Sequence, residues 1–212
     1  MGIFTQNHKG IYFKTSSSSI QYTNGGSDVM TFLSSGNVGI GITSPQAELD
    51  VNGVISSRTG TASAYSTGVL EISSSSSPTQ IKITTAIPFN TTQAHAVTIR
   101  GFQYGSASTV DLQICWHEYN NSFYNRAVSS SGNWAPTITL AVENGYVVIH
   151  LSSPGYWPKM YVESLYNAYG GSSHAQGWSW ANQAISGDSG KPVQTVPYKA
   201  NFGNNFLMTR SG

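Results

Sequence analysis

The chain is 212 residues long, only 9% of it is Asp, Glu, Lys or Arg, and its net charge is +1. This composition excludes the basic face expected of a DNA- or RNA-binding protein, and the 12% aromatic content argues against a disordered chain. No apolar run approaches the roughly 20 residues that span a bilayer, so we expect no membrane insertion. Residues 1–10 have no apolar stretch after their start, so we expect no signal peptide. A single cysteine, Cys115, excludes an intrachain disulfide framework.

Residues 1–53 form the first predicted part of the chain, in which short strand-like pieces alternate with turn-forming residues. The apolar pieces lie at 11–13, 20–22, 29–33 and 38–42, and Ser, Gly, Asn and Pro separate them. Each piece is too short to form a stable sheet of its own. We therefore expect other copies of the chain to supply partner strands; the alternative is a small monomeric β-meander capped by the second domain.

The segment 34–53 reads SSGNVGIGITSPQAELDVNG. It resembles a segment common in bacteriophage tail fibres, where it lies in a trimeric shaft just before a distal head domain, although Ile42 stands where that family usually has Thr. The alternation of apolar and polar residues over 47–51 predicts one buried face. The resemblance implies a homotrimer whose shaft contains Val38, Ile40, Ile42, Leu49 and Val51.

The remainder of the chain divides into a predicted linker and a predicted head. Residues 54–77 are rich in Ser, Thr and Gly, which is typical of a linker. Residues 78–212 are predicted to form a jelly-roll-like β-sandwich head, and Asn144–Gly145 between two apolar pieces predicts a hairpin with a type I′ turn. The strand candidates lie at 81–85, 97–102, 110–119, 137–142, 146–151 and 160–165. The predicted fold is therefore all-β, with a short trimeric β shaft followed by a β-sandwich head.

The segment 187–192 reads GDSGKP and resembles the GDSGGP segment around the nucleophile of trypsin-like serine proteases. The chain order His95, Asp111, Ser189 also fits that family. However, Lys191 replaces the second glycine, and too few residues precede His95 to build the first barrel of such a protease. We therefore interpret the segment as a polar loop, because Gly-Asp-Ser-Gly is ordinary turn sequence.

No cofactor, metal ion or catalytic residue is predicted for the chain. His117 and Cys115 form the one His/Cys pair with ligand-like spacing, and we interpret them as a core cysteine beside a hydrogen-bonded histidine. One histidine per chain could still hold a metal ion on a trimer axis. Glycosidase chemistry needs paired carboxylates, and Glu118, Glu143 and Glu163 are isolated from one another in the sequence.

Aromatic residues are concentrated in loop-like parts of the predicted head. Sugar rings stack on Trp and Tyr side chains, and neighbouring Asn, Ser and Arg side chains can form hydrogen bonds with sugar hydroxyls. Trp116 and Trp178 are predicted to lie in the core or in an interface. The residues predicted to contact a receptor are Tyr124, Arg126, Trp134, Tyr156 and Trp157.

The resemblance of residues 34–53, taken together with these patterns, implies a phage tail-fibre protein that acts by adhesion. We expect a homotrimer in the virion, with other tail or baseplate proteins as partners and a head that binds a host-surface glycan or another receptor. The scarcity of charge suits a neutral glycan or a host wall that is approached without charge steering. Three weak sites on one fibre would prolong attachment through their high effective concentration. The alternatives are a short tailspike-type enzyme that degrades surface polysaccharide and a purely structural fibre segment.

Overall fold

The computed structural model describes residues 20–24, 27–59, 63–89, 92–168 and 172–199, so the strand predicted at 11–13 lies outside the described residues. Within these residues the chain is built from strands and one short 3₁₀ helix, Ser172–Ala175, which confirms the all-β class. The described part contains no helix long and apolar enough to span a membrane. The chain divides into two compact units, residues 1–53 and 54–212.

The described part of the first unit is a four-stranded sheet with the order β1-β2-β3-β4. Strands β2 and β3 form an antiparallel hairpin, whereas β3 and β4 run parallel. The strands are β1 (Ile20–Asn24), β2 (Ser27–Phe32), β3 (Val38–Ile40) and β4 (Leu49–Val51).

Two asparagines of the shaft-like segment hold the connection between β3 and β4. The side-chain amide of Asn37 donates to the Pro45 carbonyl oxygen at 3.1 Å, and that of Asn52 donates to the Gly41 carbonyl oxygen at 3.2 Å. Gly41 has a φ of +68°, which favours glycine, and at Gly39 a Cβ atom would overlap a nearby backbone carbonyl. Local hydrogen bonds and backbone conformation therefore explain why Asn and Gly occupy these positions of the segment.

One face of this sheet is apolar and incompletely covered within a single chain. Leu49 is 60% exposed and Ile40 is 37% exposed, although each is paired in register with an apolar neighbour. Ile42, also predicted to lie in the shaft, follows β3 in a loop and is half-buried. The residues on this face form two cross-strand rows, Phe32–Val38–Leu49 and Met30–Ile40–Val51.

The second unit contains two antiparallel sheets. The six-stranded sheet has the order β10 (Ser122–Ser130), β9 (Ser108–Tyr119), β8 (Ala94–Gln103), β13 (Pro158–Asn167), β6 (Ser63–Ser73) and β5 (Ile55–Thr59). The five-stranded sheet has the order β14 (Ser179–Ala181), β7 (Gln80–Pro88), β12 (Tyr146–Ser152), β11 (Ile138–Glu143) and β15 (Gln194–Thr195).

Both sheets contribute buried side chains to one hydrophobic cluster. Each large apolar side chain removed from water contributes roughly 1.5–3 kcal/mol, so this cluster is the main source of stability in the unit. Trp116 and Trp178 belong to it, as predicted. The hairpin predicted at Asn144–Gly145 is confirmed, because it joins β11 to β12 and both residues have positive φ, 52° and 79°, as a type I′ turn requires.

The prediction of a linker at residues 54–77 was wrong. This stretch contains β5 and β6, and β6 pairs with β13 along much of its length. Val69 and Ile72 of β6 enter the hydrophobic cluster. A strand needs apolar residues only at alternate positions, so the intervening serines and threonines give it the composition of a linker.

The interpretation of Cys115 as a core residue was also wrong. Cys115 is exposed because Ile114 and Trp116 on either side of it are buried, and successive side chains of a strand point to opposite faces. The chain that follows β9, predicted as a loop, forms the strand β10 after a turn at Asn120 and Asn121, whose φ values are 46° and 55°.

Candidate functional site

Tyr124 and Arg126 both lie on β10, near the β9–β10 turn. Tyr124 is 43% exposed, and its ring lies edge-on to that of Tyr119 with centroids 6.1 Å apart. The Arg126 guanidinium donates to the carbonyl oxygen of Phe123, to that of Thr195 at 3.2 Å and to a third acceptor on Gln194. Arg126 therefore holds β10 against β15 through its Nε and Nη1 groups.

Trp134 is buried rather than presented to a receptor. It is 8% exposed and belongs to the hydrophobic cluster. Its indole Nε1 donates a hydrogen bond of 3.1 Å to the carbonyl oxygen of Ser153. The prediction that Trp134 contacts a receptor is therefore not supported by its position: a ring packed in the core cannot offer a face for stacking. Its role here is to hold the start of the loop that carries Tyr156 and Trp157.

Tyr156 and Trp157 are brought together with a third exposed ring, Tyr104. The Tyr156 and Trp157 rings are stacked with centroids 5.9 Å apart, and Tyr104 lies edge-on to both at 6.3 Å and 5.5 Å. Tyr104, Tyr156 and Trp157 are 61%, 46% and 38% exposed. We refer to these three residues as the aromatic cluster. A cluster of this kind offers both ring faces and ring edges to a ligand.

Backbone hydrogen bonds fix the loop of Tyr156 and Trp157 against the turn between β8 and β9 and against the segment between β6 and β7. The Gly105 N–H donates to the Tyr156 carbonyl oxygen at 3.1 Å, and the Trp157 N–H donates to that of Ser76 at 2.9 Å. A Cβ atom at Gly105 would lie 2.6 Å from the Tyr156 Cβ. Since carbon atoms do not approach so closely, only glycine allows the two loops to pack in this arrangement.

The loop that carries Trp157 has an unusual backbone. Ser153, Gly155 and Trp157 have φ values of 49°, 73° and 55°. A left-handed conformation costs a residue other than glycine roughly 1–2 kcal/mol, and for a residue as large as Trp it is a true outlier. Such strain persists where surrounding contacts hold it, and it is concentrated at functional sites. Thr92, Ala107 and several asparagines also have positive φ, but Trp157 is the one aromatic residue with such a φ among the described residues.

Lys159 and Gln103 complete the surroundings of the cluster. The Lys159 ammonium lies 5.9 Å from the centroid of the Trp157 ring and donates to the Ser73 hydroxyl. Gln103 is 2% exposed, and its Oε1 accepts a hydrogen bond of 3.1 Å from the Ser106 hydroxyl. Sequence reasoning missed Tyr104 and Lys159; the only local signal was a tyrosine before a Gly-Ser turn.

The predicted receptor contacts are therefore divided between two ends of the six-stranded sheet. Tyr156 and Trp157 lie against the β8–β9 turn, whereas Tyr124 and Arg126 follow the β9–β10 turn. Strand β9 joins these turns and has 12 residues. Tyr124 pairs with His117 and Arg126 lies close to the level of Cys115, so at about 3.3 Å per residue the two groups are separated by roughly 25–30 Å. One small ligand cannot contact both groups on the same chain.

The GDSGKP segment forms hydrogen bonds with the turn between β11 and β12. The Asp188 carboxylate accepts hydrogen bonds from the backbone N–H groups of Asn144 and Gly145 at 3.0 and 2.9 Å. His95 is bonded to Asn167 through its Nδ1 at 2.7 Å. The Asp111 carboxylate accepts a hydrogen bond from the Ser131 hydroxyl. His95 and Asp111 therefore form these hydrogen bonds with residues outside the GDSGKP segment. The segment itself stabilises the turn at Asn144 and Gly145.

His95 belongs to a buried polar network at the end of the six-stranded sheet. Its Nε2 lies 3.4 Å from the Glu118 carboxylate, and both side chains are fully buried. The Trp116 indole N–H donates to the same carboxylate oxygen at 3.3 Å. Burial and the neighbouring His95 lower the pKa of His174, while Glu118 opposes that shift. Water cannot reach the His95 and Glu118 side chains, so this network links the paired strands β8 and β9 inside the fold.

The other carboxylates considered for catalysis are also engaged. Glu143 pairs with Lys82 at 2.9 Å, and Glu163 pairs with Arg100 at 3.1 Å. No group of three or more His, Cys, Asp and Glu side chains is arranged to hold a metal ion in the described part of the chain.

Comparisons of this chain with models of known protein families, with curated proteins and with solved structures give no significant match.

Proposed function

We propose that this protein is a phage tail-fibre adhesin whose second unit binds a host-surface glycan through the aromatic cluster. The observation that carries the proposal is the exposed triad of Tyr104, Tyr156 and Trp157, in which Trp157 has a left-handed backbone conformation. Tyr and Trp rings give a large contact area at low cost in conformational entropy, and their faces suit the C–H surfaces of sugars. The resemblance of residues 34–53 to tail-fibre shafts supports the placement in a virion, with tail or baseplate proteins as partners.

The proposal includes a trimeric shaft in the first unit. An apolar sheet face on which Leu49 is 60% exposed is unfavourable for a single chain in water. Partner chains that cover this face would remove the apolar area from water and stabilise the short strands. Ile40 and Val38 lie on the same face and would be covered with it.

We also infer that the two sheets of the second unit pack face to face as a jelly-roll-like β-sandwich. Alternate residues of β9 are buried, and side chains from both sheets meet in one hydrophobic cluster. This pattern is what two packed sheets with solvent-facing outer surfaces produce. The sandwich would present the aromatic cluster on turns, which is where such folds usually carry binding residues.

Leu49→Glu is expected to convert the trimer into monomers. Three like charges in a shared apolar interior would each lose hydration without gaining a partner, which is a large penalty. Light scattering coupled to size-exclusion chromatography measures the mass, with 22.7 kDa expected for one chain. Ser35→Glu, which adds the same charge at an exposed turn, should remain trimeric. A wild-type protein that is a folded monomer at micromolar concentration would contradict the shaft proposal.

The adhesive function is tested by the retention of the purified full chain on immobilised bacterial surface polysaccharides. Retention without shortening of the polysaccharide supports adhesion, whereas shortening supports the alternative of a degrading enzyme. If no bacterial polysaccharide retains the protein, and the protein does not compete with phage for attachment, the adhesin proposal is wrong.

A further inference from the structure

On the basis of the proposed function, we infer that the glycan bound at the aromatic cluster is an acidic saccharide. One sugar ring stacks on Trp157 or Tyr156, and an anionic substituent of that sugar or of its neighbour meets the Lys159 ammonium. This inference replaces the expectation of a neutral glycan, which relied on the low charge of the whole chain. Recognition of a single sugar depends on the local charge beside the rings.

Lys159 has the position that such recognition requires. It is two residues beyond Trp157, and its ammonium lies 5.9 Å from the centroid of that ring. An ammonium group has three N–H donors, and the Ser73 hydroxyl accepts from one of them. On the neighbouring strand Lys159 is paired in register with Phe102, which is 49% exposed and extends the apolar surface. The ammonium is thus held beside the cluster with donors left for a ligand.

The positive charge of Lys159 is not neutralised within the described chain. The ion pairs there involve Lys82, His95 and Arg100, and no carboxylate lies within 4.0 Å of the Lys159 ammonium. Glu71, which is paired with Tyr161, is the diagonal neighbour of Lys159 on this sheet face, and it forms no ion pair with Lys159 within 4.0 Å. A cation without a counter-charge beside exposed rings is complementary to a ring that carries an anion.

The experiment measures the affinity of the full chain for tetragalacturonate and tetramannuronate by calorimetry. Each is compared with its carboxyl-reduced form, which has the same length and linkage but no charge. We expect the acid forms to bind about 10-fold more tightly, as one charge-assisted hydrogen bond would give. A phosphorylated mannose oligosaccharide serves as a third probe, and it separates recognition of a phosphate from recognition of a carboxylate.

Lys159→Gln should weaken binding of the acid forms by about 10-fold and leave the carboxyl-reduced forms unchanged. Lys159→Arg keeps the charge and should retain most of the affinity, which also shows that the fold tolerates substitution there. The matched control is Lys191→Gln, because Lys191 lies 5.8 Å from the Phe89 ring in a similar contact and donates to Asn121. This control should leave all affinities unchanged.

The outcomes separate the inference from the proposed function. Binding of the reduced forms as tightly as the acid forms, or equal affinity of wild type and Lys159→Gln for the acid forms, overturns the acidic saccharide and leaves the adhesin proposal intact. Absence of binding to every probe overturns the inference, and the adhesin proposal then depends on the polysaccharide retention experiment. Preference for the phosphorylated probe supports the inference and assigns the anion as phosphate.

Discussion

Trp157→Gly is expected to weaken glycan binding by roughly 100-fold, because the loss of an aromatic residue at the centre of a binding site costs ~2–4 kcal/mol. The ring is stacked on Tyr156 and contacts Tyr104, so its removal leaves the other two rings without their common neighbour. Glycine is the appropriate substitute, since Trp157 has a φ of +55° that glycine adopts without strain. The variant should therefore fold as well as the wild type does.

The measurement of glycan affinity for Trp157→Gly needs a control at an exposed tyrosine outside the aromatic cluster. Tyr146 lies at the start of β12 and is 44% exposed, which is close to the value for Tyr156. Tyr146→Ala should leave the affinity within a factor of two or so, as surface substitutions usually do. Tyr156→Ala should weaken binding substantially. If Trp157→Gly binds as the wild type does, the aromatic cluster is not the binding site.

A second large effect is expected from Glu143→Ala, which should lower the free energy of unfolding by roughly 3–5 kcal/mol, the usual cost of breaking a buried ion pair. Glu143 is buried at the end of β11, and its carboxylate accepts from Lys82 at 2.9 Å and from the Ser186 backbone N–H at 2.6 Å. The substitution leaves the mostly buried Lys82 ammonium without its counter-charge. Chemical denaturation of the full chain at neutral pH measures the loss.

The pH dependence of stability provides a sharper test of this carboxylate. Burial raises the pKa of Glu143, but hydrogen bonds from Lys82 and from the backbone of Ser186 and Gly187 lower it by more, so the net pKa lies below its ordinary value of 4.5. A lowered pKa in the folded state means that Glu143 contributes stability above pH 4.5 and loses that contribution as the pH falls through the folded-state pKa.

Glu143→Gln should therefore show a smaller loss of stability than the wild type between pH 5 and about pH 3, in the window set by carboxylate protonation. The double variant Lys82→Met, Glu143→Leu should recover part of the stability lost in Glu143→Ala, because apolar residues of similar volume can replace a buried ion pair but cannot accept the hydrogen bond from the Ser186 backbone N–H. Parallel pH profiles for the wild type and Glu143→Gln would show that this carboxylate does not carry the expected pH dependence.

The two tryptophans of the predicted receptor site show how far local sequence can predict a site. Trp134 and Trp157 both lie in Ser-, Gly- and Pro-containing stretches, and nothing local distinguishes them. The structure buries Trp134 in the hydrophobic cluster, where its indole N–H donates to the Ser153 carbonyl oxygen. It leaves Trp157 38% exposed, beside Tyr104 and Tyr156. Both outcomes depend on residues far away in the chain.

Local patterning in the sequence by itself determined the all-β class, because alternation of apolar and polar residues is a property of a strand and its immediate neighbours. It also determined the Asn144–Gly145 turn, since these residue types adopt positive φ readily. The boundaries of the six predicted head strands agree with β7, β8, β9, β11, β12 and β13 to within a few residues.

Only the tertiary structure decided which residues form the candidate site and which stretches join the sheets. Tyr104 meets Tyr156 and Trp157 because hydrogen bonds join two turns that are some 50 residues apart in sequence. The Ser- and Thr-rich stretch of β6 becomes a strand because β13 lies beside it and satisfies its backbone groups. The tertiary structure also decides which of the few charged side chains form ion pairs. Lys82 and Arg100 are paired with carboxylates, whereas Lys159 lies beside the aromatic cluster without an ion-pair partner in the described chain. Residue types and their spacing are local, but burial, pairing and charge compensation depend on partners that the fold brings from elsewhere.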